Sequence, residues 1–278
     1  MIGLGVEQYL GLCALGIAVG AYGTLIGAGG GFVLMPVLLL LYPDQSADLL
    51  TSISLAVVFF NAASGSEAYA QMKRIDYRAG LLFSAATIPG AVLGALNTAY
   101  VPRRLFDFIF GVLLVAAAIF LARRPRERGS GCMASPHSRH CVMRHLVDVQ
   151  GTEYEYSFNY LLGMAISVFV GYVSSFLGIG GGIIHVPALT YFLGFPVHIA
   201  TATSHFILAI MALTGTVVHI ATGTFTHGVH RTIALSIGVL LGAQIGARLS
   251  EKIRGSWIIK GLAIALGVVG LRILAIAW

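Results

Sequence analysis

Few side chains in this sequence can do chemistry, so the backbone is the first place to look for a binding site. Two stretches stand out: Gly27-Ala28-Gly29-Gly30-Gly31 followed by Pro36, and Gly178-Ile179-Gly180-Gly181-Gly182 followed by Pro187. Each interrupts an apolar run. Glycine inside a helix costs about 1 kcal/mol relative to alanine, so four in five positions argue against a continuous helix. In lipid, the freed N–H and C=O groups are tolerated only where they are buried in protein or line a cavity. A helix that restarts after each break aims free N–H groups and a positive dipole end at the gap, where an anion binds without a basic side chain. Gly29, Gly30, Gly31, Gly180, Gly181 and Gly182 are therefore candidate substrate contacts, and a paired break points to the binding site of a secondary transporter. Close helix packing is the competing explanation. It suffices for Gly16/Gly20, Gly90/Gly94 and Gly242/Gly246, but three consecutive glycines exceed what packing needs.

Hydroxyl and ionisable groups come next. Thr51-Ser52 and Thr203-Ser204 stand near the start of the helix after each short run, where they either cap that helix or donate to a bound oxyanion. His205 follows the second pair directly and is a candidate substrate or proton site. Ionisable groups inside membrane runs default to functional hypotheses. Glu67 and His219 qualify as proton-coupling candidates, although both lie near segment ends. His185, three residues past the second glycine run, is a third. Asn61 and Gln244 read as interhelical glue. Cys132, His137, His140, Cys141 and His145 crowd a central loop, but their spacing matches no strong metal-finger pattern. No metal and no cofactor are expected. There is no nucleophile elbow, no HExxH and no P-loop lysine, so neither an enzyme nor an ATP-driven pump is expected.

The elements that hold these groups must be membrane helices. The chain has 278 residues, 57% hydrophobic and only 10% charged, with mean hydropathy +0.88; a soluble domain carries roughly 25% charged residues. The net charge of +6 does not signal nucleic acid, because six of the 17 basic residues fall between Arg123 and Arg144 and others flank apolar runs. Its expected partners are a small anionic substrate and the lipid bilayer, with a second copy forming a homodimer as a further candidate. Three cysteines give no disulfide framework. Met1–Leu12 lacks a basic n-region and a cleavage site, so the first apolar run reads as a retained helix.

Apolar runs cover Leu10–Ile26, Phe32–Tyr42, Leu49–Tyr69, Ala79–Tyr100 and Leu105–Ala122, then Asn159–Leu177, Ile183–Leu193, Ala200–Ala221, Thr232–Leu249 and Trp257–Trp278. Residues 1–122 and 157–278 thus read as two transmembrane repeats, joined by a polar, mostly mobile cytoplasmic loop over 123–156. The second copy follows the first at an offset of 151, which places Gly27 on Gly178 and Pro36 on Pro187. A further residue inserted after that makes the offset 152, so that Thr51-Ser52 meets Thr203-Ser204, Glu67 meets His219, and His205 faces Ile53. If each short run folds back as a hairpin, 12 basic residues fall on one side and three on the other. That bias favours inverted repeats with the central loop inside the cell. The expected fold is an all-α polytopic protein of the plasma (inner) membrane, made of two inverted repeats that each open with a glycine-broken helix hairpin.

The G-x-G-G-G-x-x-x-x-P run opening each half, the Thr-Ser pairs and the run Gly242–Leu249 resemble the TauE/SafE family of membrane permeases. The resemblance covers nearly the whole chain except Arg123–Tyr156. It implies a secondary transporter, often an exporter, for small anions such as sulfite or organosulfonates. The family's glycine and Thr-Ser positions map onto Gly29–Gly31, Gly180–Gly182, Thr51, Ser52, Thr203 and Ser204. A metal-cation permease and a membrane sensor or scaffold using the Cys/His-rich loop remain the alternatives. Scarcity of acids inside the apolar runs counts against the first.

Overall fold

The structure is a computed structural model that describes residues 5–123, 140–250 and 255–277. It is an all-α membrane protein with one β-hairpin. The first half contains α1 (Val6–Ile26), α2 (Gly31–Leu41), α3 (Ala47–Gln71), α4 (Tyr77–Thr98) and α5 (Arg103–Ala122). The second contains α6 (Tyr160–Leu177), α7 (Gly182–Pro187) with a π-turn over Ala188–Phe192, α8 (Val197–Ala221), α9 (Val229–Ser250) and α10 (Gly255–Ala277). Among the described residues, seven helices are long and apolar enough to cross a membrane. The outward residues of α9 (Ile237, Leu241, Ile245) and of α4 (Leu81, Leu93) are exposed and as apolar as the core. Such all-round apolarity suits a helix solvated by lipid.

Helices approach closely where glycine removes the side chain. A Cβ on Gly242 or Gly238 of α9 would run into the Ile17 or Cys13 carbonyl of α1. In the same way a Cβ on Gly90 or Gly94 of α4 would meet the Val168 or Tyr172 carbonyl of α6. Helix directions follow from such pairings. Tyr9 bonds His230 near one end of α1 and Ala21 touches Gly246 near the other, so α1 and α9 are parallel. Ile53 meets Gly228 and Ser64 bonds the Leu240 carbonyl, so α3 is parallel to them. His205 packs on Gly65 and Gly215 on Leu55, so α8 is antiparallel to α3. By the same reasoning α4 and α6 run with α8, and α5 opposes α10. Each of α1, α3 and α4 thus runs opposite to its counterpart α6, α8 or α9.

The register of the repeat differs from the expected one. Val58 of α3 and Leu208 of α8 flank both glycine runs alike, and Ser54 and Ser204 each hydrogen-bond the first glycine carbonyl of the opposite run. These pairs lie 150 positions apart, not 152. The second half is one residue shorter between its broken helix and α8. It then gains two before α9, in the 3-10 turn Thr224–His227. Consequently Thr51-Ser52 and Thr203-Ser204 are not equivalent. Glu67 is not the counterpart of His219, whose place in α3 is held by Tyr69, and His205 corresponds to Leu55 instead of Ile53.

A second correction concerns 123–156. The expectation of an irregular, mostly mobile loop gives way over Cys141–Asn159 to a ribbon of β1 (Cys141–Val147) and β2 (Glu153–Asn159), paired antiparallel from Cys141↔Asn159 to Val147↔Glu153. Its apolar face follows a period of two, Tyr154, Tyr156 and Phe158, and packs on Phe83, Leu189 and Phe195. Its turn is organised by Asp148, whose carboxylate accepts from the Gln150 and Thr152 N–H groups at 2.8 and 3.0 Å. The same carboxylate reaches Arg74 at 3.3 Å, with both side chains buried. Arg144 and the Tyr156 hydroxyl hold Asp76, whose other oxygen caps the first turn of α4. Cys141 is disulfide-bonded, against the expectation of no disulfide. This hairpin, Lys73, Arg74, Arg78 and Arg248 share one end of the molecule, its basic end; Arg103, Arg104 and Arg231 stand at the other.

Two outcomes follow. Gly242→Leu should prevent assembly of α1 on α9, because the obstacle is a carbonyl in a rigid helix, and overpacking against movable side chains already costs about 1–3 kcal/mol. Gly11→Leu, with nothing within 4 Å of its Cβ, is the control; equal monodisperse yields of the two variants would refute the packing. The second concerns acid. Burial works to raise the Asp148 pKa, but the Thr152 and Gln150 N–H groups and the Arg74 guanidinium outweigh it and hold the carboxyl below its usual range. A depressed folded pKa gives stability that is complete above the unfolded value near 3.9 and is lost as pH falls through the folded one. Limited proteolysis of the hairpin should therefore be unchanged from neutral pH to about pH 5. Release already at that pH would contradict it.

Candidate substrate site at the glycine breaks

Three of the four glycines in each run are fixed by backbone conformation. Gly27, Gly29 and Gly30 have φ of +78°, +73° and +78°, and Gly178, Gly180 and Gly181 have +66°, +78° and +66°. Side chains are strained in that region. The fourth is fixed by proximity. A Cβ on Gly31 would sit 2.6 Å from the Ile179 carbonyl oxygen, and one on Gly182 2.5 Å from Cα of Ala28. The two runs therefore lie backbone against backbone. Both Gly29 and Gly180 rest on Val58 and Leu208, close to the midpoints of the 25-residue helices α3 and α8. Helix α2 starts without a side-chain cap. The second restart is weaker, since α7 lasts six residues before the π-turn and the Gly182 N–H is already given to the Gly180 carbonyl.

Beside the first break lies a polar cluster with no exposed surface: Thr24, Asn61 and His205. The Thr24 hydroxyl donates to Asn61 Oδ1 at 3.1 Å and stands 3.2 Å from His205 Nε2. Tyr69 donates to the Thr24 carbonyl at 2.7 Å and turns its edge onto the imidazole. With the Thr24 hydroxyl proton turned to Asn61, His205 Nε2 donates to Thr24, and the Gly27 carbonyl lies beside the same imidazole. Asn61 Nδ2 is left without a hydrogen-bond partner, while the other side of the imidazole has only the Gly27 carbonyl near it, outside good hydrogen-bond geometry. Buried polar atoms are normally satisfied, and orphans call for an explanation. The counterparts of Thr24 and Asn61 in the second half are Ser175 and Met211, and that of His205 in the first half is Leu55, so the polar cluster is one-sided.

The remaining candidates disperse. Ser52 bonds back to the Leu49 carbonyl, and Thr203 accepts from the Asp76 N–H, a structural use in both cases. Thr51 is buried with an unpartnered hydroxyl against Gly178, and Ser204 donates to the Gly27 carbonyl at 3.5 Å. Glu67 lies exposed at the basic end, while His219 is buried at the opposite end, 3.2 Å from Asp48. His185 pairs with Ser167 at 3.1 Å. These three do not meet. Gln244 bonds Ser64 across α3 and α9, as glue should. Cys132 and His137 lie outside the described residues; His140 meets Tyr160, and His145 pairs with Glu153 on the exposed ribbon. Among the described residues no three His, Cys, Asp or Glu side chains gather around one point. Thr24 and Tyr69 were not singled out from sequence, and Asn61 was set aside. An amide inside a 25-residue membrane helix was the available signal.

Comparisons with known proteins agree with this architecture. The family model described as sulfite exporter TauE/SafE matches residues 12–273. A Bacillus subtilis protein named probable membrane transporter protein YunE is 30% identical over 95% of this chain and 96% of its own length. A probable membrane transporter protein of Methanocaldococcus jannaschii is 24% identical over 95% of this chain and 94% of its own. One from Xylella fastidiosa is 25% identical over 84% and 81%. No solved structure matches significantly. With seven membrane-length helices and a match along nearly its whole length, the chain belongs to the TauE/SafE family and is an integral, multi-pass membrane transporter.

Proposed function

We propose that this chain is a secondary transporter, working as an exporter, that carries a small oxyanion, sulfite or an organosulfonate, past the meeting point of its two glycine breaks. The halves act as inverted repeats that rock about this point, and the basic end faces the cytoplasm. The opposite directions of counterpart helices support the first statement, and the distribution of Lys and Arg supports the second. One observation carries the substrate reading. Asn61 Nδ2, a donor, is buried and unpartnered beside the His205 imidazole, where α3 and α8 pass the first break.

Each group has a defined task. The Asn61 amide donates to an anion oxygen. A bare imidazole nitrogen repels that oxygen, so His205 takes a second proton when the anion binds and then presents an N–H on both sides of its ring. Anion and proton then travel together, and the coupling role falls to His205 instead of Glu67, His185 or His219. Backbone N–H groups at the start of α2 add the partial positive charge of a helix end. Hydrogen bonds to a charged group contribute about 1.5–3 kcal/mol, so losing one weakens binding roughly 10- to 100-fold.

The test is flux in proteoliposomes with sulfite, sulfoacetate, thiosulfate and sulfate, with and without a pH gradient. At least one anion should move saturably and respond to the gradient. Asn61→Leu should raise its KM about tenfold or more, and His205→Gln should abolish the response to pH. Movement of none of the four under either condition would sink the substrate class, and unchanged coupling in His205→Gln would remove the proton assignment.

A further inference from the structure

A small cavity, of about 30 Å³, lies at the basic end, where α8 begins. Its wall is mostly apolar, with Tyr69, Arg74, Thr190, His198, Thr201 and Ser250 as the polar part, and it adjoins the first break, since Gly27 packs on Thr201. Three features give that polar part a positive character. Helix α8 starts at Val197 with Pro196 in the cap position and no side-chain cap, so the N–H groups of its first turn are free to point outward. Arg74 is 5% exposed, and its Nη1 has no hydrogen-bond partner. Thr190, 6% exposed, has an unpartnered hydroxyl. The C-terminal end of α1, which is partly negative, also borders the cavity. Its Gly23 and Thr24 carbonyls, however, are occupied by the Gly27, Ala28 and Gly29 N–H groups and by the Tyr69 hydroxyl.

Comparison of the two halves shows what is missing. The start of α3 occupies the equivalent place at the opposite end. There the helix is capped by Ser46, and Asp48 in its first turn lies beside His219 and Thr224. That helix end carries its own anion. In α8 the residue corresponding to Asp48 is His198, and no acid stands in the first turn. The negative charge comes instead from Asp148, on the turn of the hairpin, through Arg74. Arg74 borders this cavity on one side and, on the other, a cleft of about 270 Å³ shared with Gln71, Asp148, Gln150 and Arg248. The ion pair stands between the two spaces.

We propose that the cavity at the start of α8 is an anion site on the basic side of the substrate path, and that Asp148 is a tethered anion whose ion pair with Arg74 closes it. Asp148 holds Arg74 through Nε and Nη2; a free oxyanion that reaches Nη1, the Thr190 hydroxyl and the first turn of α8 competes with it for the charge of the one guanidinium. The hairpin undocks when the anion wins. This rests on the reading of the chain as an oxyanion transporter only for the identity of the ligand.

Two measurements test it on the full chain in nanodiscs or proteoliposomes. Calorimetric titration with sulfite and with sulfoacetate should show affinity rising about tenfold in Asp148→Asn and falling about tenfold in Arg74→Gln, with Thr190→Val between. The double variant Arg74→Gln/Asp148→Asn, which leaves neither buried charge unpaired, should bind as weakly as Arg74→Gln. Should it bind like wild type, or should Asp148→Asn leave affinity unchanged, the site is refuted. The second measurement needs no substrate. Thr190→Cys, with the other cysteines replaced, is modified by an anionic methanethiosulfonate reagent from the basic side. Asp148→Asn should speed modification about tenfold, and adding Arg74→Gln should cancel the gain. If no anion is carried but modification follows this pattern, the transport reading fails and the gate stands. If transport is normal and modification ignores Asp148, the gate falls.

Discussion

Two irregular stretches of backbone touch each other halfway along the longest helices, and this contact constrains everything else. Gly31 on Ile179 and Gly182 on Ala28 leave no room for a methyl group on either strand. Freed peptide groups cannot face lipid, so each run must be enclosed by the other half of the molecule. The enclosure is supplied crosswise. Val58 and Leu208 each rest on both runs, while Ser54 and Ser204 each satisfy the first glycine carbonyl of the run from the opposite half. Neither half can therefore bury its own break, which explains why the strongest helix pairings, α1 with α9 and α4 with α6, also join one half to the other.

This arrangement separates what the duplication keeps from what it varies. Glycine positions, the closeness of α1 to α9 and of α4 to α6, and the carbonyl-capping serines recur in both halves. Side chains that could hold a solute do not. Thr24, Asn61 and His205 have Ser175, Met211 and Leu55 as their counterparts, so one side of the breaks offers an imidazole and an amide and the other only serine hydroxyls, a thioether and leucine methyls. Under the proposed rocking of the halves, a symmetric scaffold would give two equivalent conformations, and an unsymmetric lining would give the solute a reason to be treated differently in each.

Much of the fold was legible because glycine and apolar length are local signals. Two runs of four glycines within five residues announced the breaks, and the apolar segments announced the helices. The register of α3 against α8 was not legible. Between the breaks and Gly90 the sequence provides only a Thr-Ser dipeptide to align, and a slip of two residues costs nothing in pattern. Tertiary packing decided it, through Val58, Leu208 and the two serines. The hairpin was missed for a different reason. Its alternation of Tyr154, Tyr156 and Phe158 has a period of two, which carries no helical signal, and its turn hinges on Asp148 with Gly151 at φ +78°. Asn61 was visible as a residue but not as a site, because an amide bonded on one side and bare on the other looks the same in sequence as one bonded on both.

The same logic explains why the charged residues settle where they do. A helix that begins inside a membrane protein carries a partial positive charge that must be met by something. At α3 the chain meets it within the helix, with Ser46 and Asp48. At α4 it uses Asp76, whose second oxygen is then free to hold Tyr156 and Arg144 of the ribbon. Since the Asp76 N–H is in turn held by Thr203 of α8, this one residue ties α4, α8 and the hairpin together. The Arg74–Asp148 pair lies two residues away on the same connection. Displacing the hairpin therefore removes a ligand from Asp76 as well as from Arg74, and loosens the junction between α4 and the start of α8. A soluble ribbon that looks peripheral in sequence is in this way mechanically continuous with the helix that passes both glycine breaks.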